Sequence, residues 1–475
     1  MRVLPVGFSA SAAVQAIRDR LSGGQLLQNG LFAAIQSVIV TVCLLLVYRL
    51  VIAHASLEQL GVWSLLLAGS AMLRVGDVSG AGALSRFVAM KSPDAGPCHT
   101  RNVVHTVMLT SLCLNAALAL VFYMLAPLFL PKVIAPEYMG EALALLPFVI
   151  GTMVLGSLSI AVTSAIDGAQ RADQRAMVFI AAALIFLISS WLLIPKYGVV
   201  GFGVAQLVQQ IVILVLGWHV LRRHVSDLGW VPFHWRRDVF GETAGFAIKL
   251  NAIGIVGLLF EPLVKFAFNH TGGPGLVAIY ELASRLVVQV RGFVIAAATP
   301  LIPAFAAHSD RGDVVFRRTL DSSVRFISVA GVGVALGAVF GAPLVSVVVL
   351  EKLSPEVLIM SIMLTLGWAI NVLAIPFYFA AQGQGFLRWN FASHVLIAAS
   401  VLVGVFLPVS VFGHDGLLVS IVFGLVLSTP VVIVGNSRLL GISDVYRSVR
   451  IWLGGAAALI TFICAISGWL VFQLL

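Results

Sequence analysis

The chain has 475 residues, of which 60% are hydrophobic and only 10% charged, with a formal net charge of +9. Soluble proteins carry about 25% charged residues, and a mean hydropathy of +1.05 is more than a soluble core of this length can hide. The chain therefore reads as an integral membrane protein. Its apolar runs are about 20 residues or longer, which indicates helices and excludes the roughly 10-residue alternating strands of a membrane barrel.

Residues 8–21 ("FSASAAVQAIRDRL") read as a short helix on the cytoplasmic surface, within a segment 1–25. Arg2, Arg18, Asp19 and Arg20 argue against a cleavable signal peptide. Apolar runs follow at 30–52, 58–90, 102–130, 141–167, 173–194, 199–221, 239–269, 275–307, 319–350, 356–382, 389–411, 416–437 and 449–474. The predicted fold is all-α and polytopic: twelve transmembrane helices in two six-helix repeats, plus an extra C-terminal helix. The four cysteines, Cys43, Cys98, Cys113 and Cys464, form no CxxC and read as small hydrophobes.

Lys and Arg in the connections set the orientation. With the N-terminus cytoplasmic, inside segments carry nineteen of the 29 basic residues and outside segments four, Arg49, Lys132, Lys196 and Lys352. That bias alternates loop by loop, as positive-inside topology requires, and accounts for the charge without a nucleic-acid partner.

The second half of the chain echoes the first. Gly168, Gly198 and Gly201 recur as Gly383, Gly413 and Gly416, at a constant offset of 215. Trp63 and Arg74 meet Tyr280 and Arg291 at offset 217. An even number of helices per repeat keeps both halves in one orientation, related by an axis along the membrane normal. The expected division is an N-terminal lobe at 26–223, a basic cytoplasmic linker at 224–238, a C-terminal lobe at 239–440 and the extra helix at 441–475.

Charges inside the membrane are costly, so they are expected to face a cavity or one another. If Arg86 and Pro300 mark cytoplasmic ends, Arg74 and Arg291 each lie about 18 Å deep at 1.5 Å per residue. Asp77 follows Arg74 at i+3, and Glu281 precedes Arg285 at i,i+4, so each pair is either structural or part of a cavity. Polar residues concentrate on the first, second, seventh and eighth spans. The candidate substrate-binding residues are Gln36, Arg74, Asp77, Lys249, Asn251, Glu281, Arg285 and Arg291. With Glu261 and Lys265 included, the charge expected in a cavity between these spans sums to +2, which favours an anion; arginine in particular suits phosphate oxygens. Arg291 and Lys249 lack a local acidic partner and are the better candidates for substrate contact.

No HExxH, GxxxxGK[ST] or GxSxG motif occurs, and "GVVGFG" at 198–203 follows no strand, so no catalytic constellation, metal site or cofactor is expected. The chain reads as a secondary transporter and not an enzyme.

Residues 26–89 resemble the opening of the oligosaccharide flippase, or polysaccharide transporter, family. The resemblance rests on Gln28-Asn29, on Leu60-Gly61-Val62-Trp63 leading into the second span, and on Asp77 followed by Gly80, Ala83 and Arg86. "AIYELASRL" at 278–286 and "PLIPAFA" at 300–306 extend it, and it covers about the first 440 residues. Val78-Ser79 before the glycine departs slightly from the family spacing. The resemblance implies membership of the multidrug/oligosaccharidyl-lipid/polysaccharide (MOP) exporter superfamily, two lobes in a V, alternating access and a cationic cavity. It implies an undecaprenyl-pyrophosphate-linked glycan as cargo, moved across the bacterial inner membrane for O-antigen, capsule or exopolysaccharide synthesis. Membrane lipids and polysaccharide polymerase machinery are the implied partners, the chain acting as a monomer; coupling to sodium, protons or membrane potential is left open. A cation-coupled multidrug exporter and a lipid II flippase are the alternatives of the same fold. A membrane-embedded polymerase or acyltransferase fits least, because the outside connections are short.

Overall fold

A computed structural model describes residues 25–74, 77–89, 99–225, 228–299, 301–307, 314–406 and 409–473. The surface helix expected at 8–21 lies outside them. The described residues form helices α1 (Gln25–His54), α2 (Leu57–Leu73), α3 (Leu84–Ala89), α4 (His99–Val133), α5 (Met139–Gly168), α6 (Ala172–Arg222) and α7 (Arg237–Ala298). They continue as α8 (Leu301–Ala307), α9 (Val314–Leu350), α10 (Pro355–Val372), α11 (Ile375–Gly383), α12 (Arg388–Phe406), α13 (Val409–Leu439) and α14 (Ser443–Gln473). Among the described residues, nine helices are long and apolar enough to cross a membrane.

Nine stand against thirteen predicted spans because α6 joins two across a backbone reversal, α7, likewise reversed, is not among the nine, and α2 is shorter than a span. Gly198, with φ 56° and ψ −135°, divides α6, and Gly273, with φ 72°, divides α7. Both take the left-handed φ that glycine tolerates and side chains resist. Gly413 in α13 repeats the Gly198 conformation at φ 59° and ψ −141°, so the offset of 215 is geometric as well as textual. The thirteenth predicted run is the apolar helix α14, which packs on α9 and α10.

Close helix approaches repeat too. A Cβ on Gly168 would lie 2.6 Å from the Ser85 carbonyl oxygen and 2.7 Å from Val88 Cβ. A Cβ on Gly383 would lie 2.7 Å from the Ile302 oxygen and 3.0 Å from Phe305 Cβ. The partners Ser85 and Ile302, and Val88 and Phe305, stand 217 residues apart. Gly168→Val and Gly383→Val should each destabilise the purified protein by about 1–3 kcal/mol through overpacking against backbone. Gly82→Ala, with nothing within 4 Å of the added carbon, should leave the melting temperature unchanged. Equal melting of all three in a thermal scan would contradict this packing.

One predicted element is corrected. The second span is not a continuous helix: α2 ends at Leu73, Arg74 caps it, and helix resumes only at Ala81–Ala83 and α3. Gly80, at φ 82°, holds the break. Asp77 therefore does not share a helix face with Arg74; its N–H closes a turn onto the Arg74 carbonyl at 2.9 Å. α7 runs to Ala298, seven residues beyond Arg291, which keeps Arg291 inside a helix.

The halves meet most closely at the end of the bundle opposite the arginine-rich connections. A Cβ on Gly61 of α2 would lie 1.8 Å from the Pro274 carbonyl oxygen of α7. Arg49 pairs with Glu351 at 2.5 Å, and Asn269 donates to the Val133 carbonyl at 2.5 Å.

Candidate functional site

The intramembrane charges separate into three groups with different chemistry. The first is a closed network around Glu281, a residue only 3% exposed. α7 turns back at Gly273, which brings Lys265 of its first half against Glu281 of its second half at 2.8 Å. Arg285, one turn on, donates to the same carboxylate at 2.6 Å. From the other repeat, Tyr48 donates its hydroxyl at 3.0 Å and Ser64 at 2.9 Å. Ser64 and Glu281 are repeat-equivalent positions, 217 residues apart, so the pseudo-twofold axis passes between them. Lys265 also reaches Glu261 at 2.9 Å. Two carboxylates and two cations balance, and no net charge is left for a substrate.

The second group surrounds Asp77. One carboxylate oxygen accepts the Ser79 N–H at 2.9 Å; the other accepts Asn115 of α4 and Ser157 of α5, each at 3.1 Å. Ser111 bonds Ser79 at 2.7 Å and closes the network. These small polar residues let three helix segments cross where the second span breaks, and they tie Asp77 into the N-terminal half.

Arg291 is the third group and is different. Its guanidinium lies 4.1 Å over the Trp368 ring, a cation–π contact. Its buried Nε has no hydrogen-bond partner, and no carboxylate pairs with it among the described residues. It lines a cavity of about 320 Å³ together with Phe260, Trp368, Asn371, Tyr378 and His394. Tyr378 and His394 bond at 3.2 Å, and Asn371 donates to Ser428 at 2.9 Å. An unpaired cation held on an aromatic face beside polar side chains can receive an anion by charge-assisted hydrogen bonds.

The predicted site residues thus do not form one cluster. Glu281 and Arg285 share the balanced network, Arg74 and Asp77 lie at the helix break, and Arg291 stands in the second half. Gln36 lies on α1, with its carbonyl oxygen buried and unpartnered. Lys249 and Asn251 fall in α7, with side chains outside the described residues. Sequence reasoning missed Trp368, Tyr378 and His394. His394 carried a signal, because it sits in the middle of an apolar run whereas most histidines lie in connections. Trp368 and Tyr378 look like ordinary core aromatics in sequence.

Residues 77–309 match the family model described as "Polysaccharide biosynthesis protein". No curated protein matches the sequence. Among solved structures, an inward-facing multidrug resistance MATE family transporter of the MOP superfamily superimposes with a TM-score of 0.72 at 14% identity, covering 86% of this chain and 96% of that one. The fold is that of a MOP-superfamily transporter. An outward-facing MATE transporter of this superfamily aligns with a TM-score of 0.61 at 15% identity, over 89% of this chain and 96% of that one. A MOP superfamily transporter from Pyrococcus furiosus aligns at 0.65 and 15% identity, over 88% and 95% of the two chains. The resemblance to polysaccharide transporters read from the sequence is borne out by the family match together with the MOP fold. That fold has twelve transmembrane helices in two repeats, as expected from the duplicated glycines.

Proposed function

We propose that this MOP-superfamily protein is a flippase for a polyprenyl-diphosphate-linked oligosaccharide, serving surface polysaccharide synthesis at a bacterial inner membrane. The observation that carries the reading is Arg291, a cation inside the bundle with no acidic partner among the described residues. Keeping an unpaired charge away from water is costly unless a ligand of opposite charge uses it. A diphosphate supplies that charge, and guanidinium binds its oxygens bidentately. The family match at residues 77–309 supports a glycan as the attached group.

The arginine-rich connections face the cytoplasm in this reading, following the positive-inside rule. The contacts at Gly61, Arg49 and Glu281 then close the outer side, and the better superposition on the inward-facing MATE transporter supports an inward-facing state. Alternating access would part these contacts and join the lobes at the cytoplasmic end.

The second reading, a cation-coupled multidrug exporter, is favoured by the likeness to MATE transporters. Against it, Glu261 and Glu281 are ion-paired and Asp77 is hydrogen-bonded, whereas a cationic drug needs an available carboxylate. The reversed pocket polarity and different function suggested for the Pyrococcus furiosus relative run in the same direction. Deleting the gene should remove a surface polysaccharide, and overexpression should leave drug susceptibility unchanged. Intact polysaccharide with raised drug resistance would overturn the flippase reading in favour of the exporter.

A further inference from the structure

A second cavity, of about 200 Å³, lies on the N-terminal side of the second half of α7. Its walls come from α1, α2 and α6, and its floor is Glu281 and Arg285 of α7. Tyr48, Trp63, Phe186 and Phe202 form an aromatic cluster along it, with Trp63 and Phe202 edge to face at 5.3 Å. Gln206 and Gln209, three residues apart on one face of α6, also line it.

Two polar groups lining this cavity are unsatisfied. Trp63 is 2% exposed, yet its indole N–H has no hydrogen-bond partner. The buried Gln206 side-chain oxygen has none either. Gln36, outside the cavity lining, carries another orphan side-chain oxygen. It stands on the same α1 stripe as the lining residues Val40, Leu44 and Tyr48, each four residues on from the last. A buried polar group without a partner costs about 1–3 kcal/mol, and two such groups at one cavity imply that something polar completes them.

The chemistry of that ligand is narrow. An anion is disfavoured, because the Arg285 guanidinium is already spent on Glu281. An isoprenoid or acyl chain is disfavoured, because it would leave the indole and amide groups dry and unpaired. A pyranose ring fits both demands: its hydroxyls donate and accept, and its C–H faces lie against aromatic rings. Arg285 and Arg291 are six residues apart on α7, about 9 Å along the helix. They are also about 120° apart around it, so the aromatic–amide cavity and the Arg291 cavity border different faces of one helix.

We propose that the cavity between Trp63, Gln206, Gln209 and Arg285 is a pyranose subsite, holding a sugar ring of the cargo while Arg291 holds its diphosphate. The assignment of the cargo rests on the flippase reading; the subsite itself rests on the orphaned indole and amide groups.

Two probes separate the claims, both applied to the full-length protein in lipid nanodiscs. Saturation-transfer NMR with methyl pyranosides of glucose, galactose, mannose and N-acetylglucosamine reads the sugar cavity. Calorimetric titration with inorganic pyrophosphate reads Arg291. At least one pyranoside should show saturation transfer, weakened at least tenfold by Gln206→Leu combined with Gln209→Leu. Pyrophosphate affinity in that variant should stay within twofold of wild type. Gln209→Ala alone, at a partly exposed position, should weaken the pyranoside signal in the same direction if the double variant fails to fold. Absence of saturation from every pyranoside, or signals indifferent to both glutamine variants, would overturn the subsite. Pyranoside binding together with pyrophosphate binding that ignores Arg291→Ala would keep the subsite and overturn the flippase reading.

Discussion

Arg291→Ala should reduce surface polysaccharide output about 10- to 100-fold while leaving the protein as stable as wild type or more so. A hydrogen bond to a charged group contributes about 1.5–3 kcal/mol, and each 1.4 kcal/mol is about tenfold. Stability should not fall, because Arg291 has no ion-pair partner to abandon among the described residues and its removal relieves the cost of a charge held away from water. Only its contact with the Trp368 ring is lost, about 0.5–2 kcal/mol. Arg291→Lys should recover part of the activity, since an ammonium retains charge but neither the bidentate fork nor the planar stack. Complementation of a deletion strain, with protein level and melting temperature measured alongside, checks this. Activity lost only in step with stability would make Arg291 a structural residue.

Glu281→Gln should show the opposite pattern, a large loss of stability. The carboxylate holds Lys265 at 2.8 Å and Arg285 at 2.6 Å and accepts from Tyr48 and Ser64 of the other repeat. Removing its charge leaves a lysine that is only 5% exposed without its buried counterion. Breaking a buried ion pair on one side costs about 3–5 kcal/mol. Melting in detergent should fall clearly for Glu281→Gln and recover in part when Lys265→Met is added, because the stranded cation goes with it. An unchanged melting temperature in the single variant would show that the network contributes little.

The contrast between these two residues marks what the sequence could and could not convey. Composition, the loop-by-loop charge alternation and the glycine offset of 215 were enough for a helical membrane transporter with a duplicated fold. The equal backbone angles of Gly198 and Gly413 show why that offset exists: each reverses the chain between paired helices. Which charges neutralise which was not legible. Lys265 meets Glu281 only because Gly273 folds α7 back on itself, and no helical spacing encodes a contact sixteen residues apart. Arg74 and Asp77 looked like an i,i+3 helix pair, but the left-handed Gly80 breaks the helix there. Arg291 was legible as a charge without a neighbour, yet its setting was not. Trp368, Tyr378 and His394 come from three other helices, and their convergence is a tertiary fact. The pyranose subsite was hidden for the same reason, since an unsatisfied indole or amide can be recognised only once its surroundings are packed.

Lipid extracts from cells lacking this protein test the flippase assignment most directly, by mass spectrometry of polyprenyl-diphosphate-linked glycans. The expected result is accumulation of the complete lipid-linked repeat unit, reversed by the wild-type chain and not by Arg291→Ala. An unchanged pool of lipid-linked glycan, with or without the protein, would contradict the assignment.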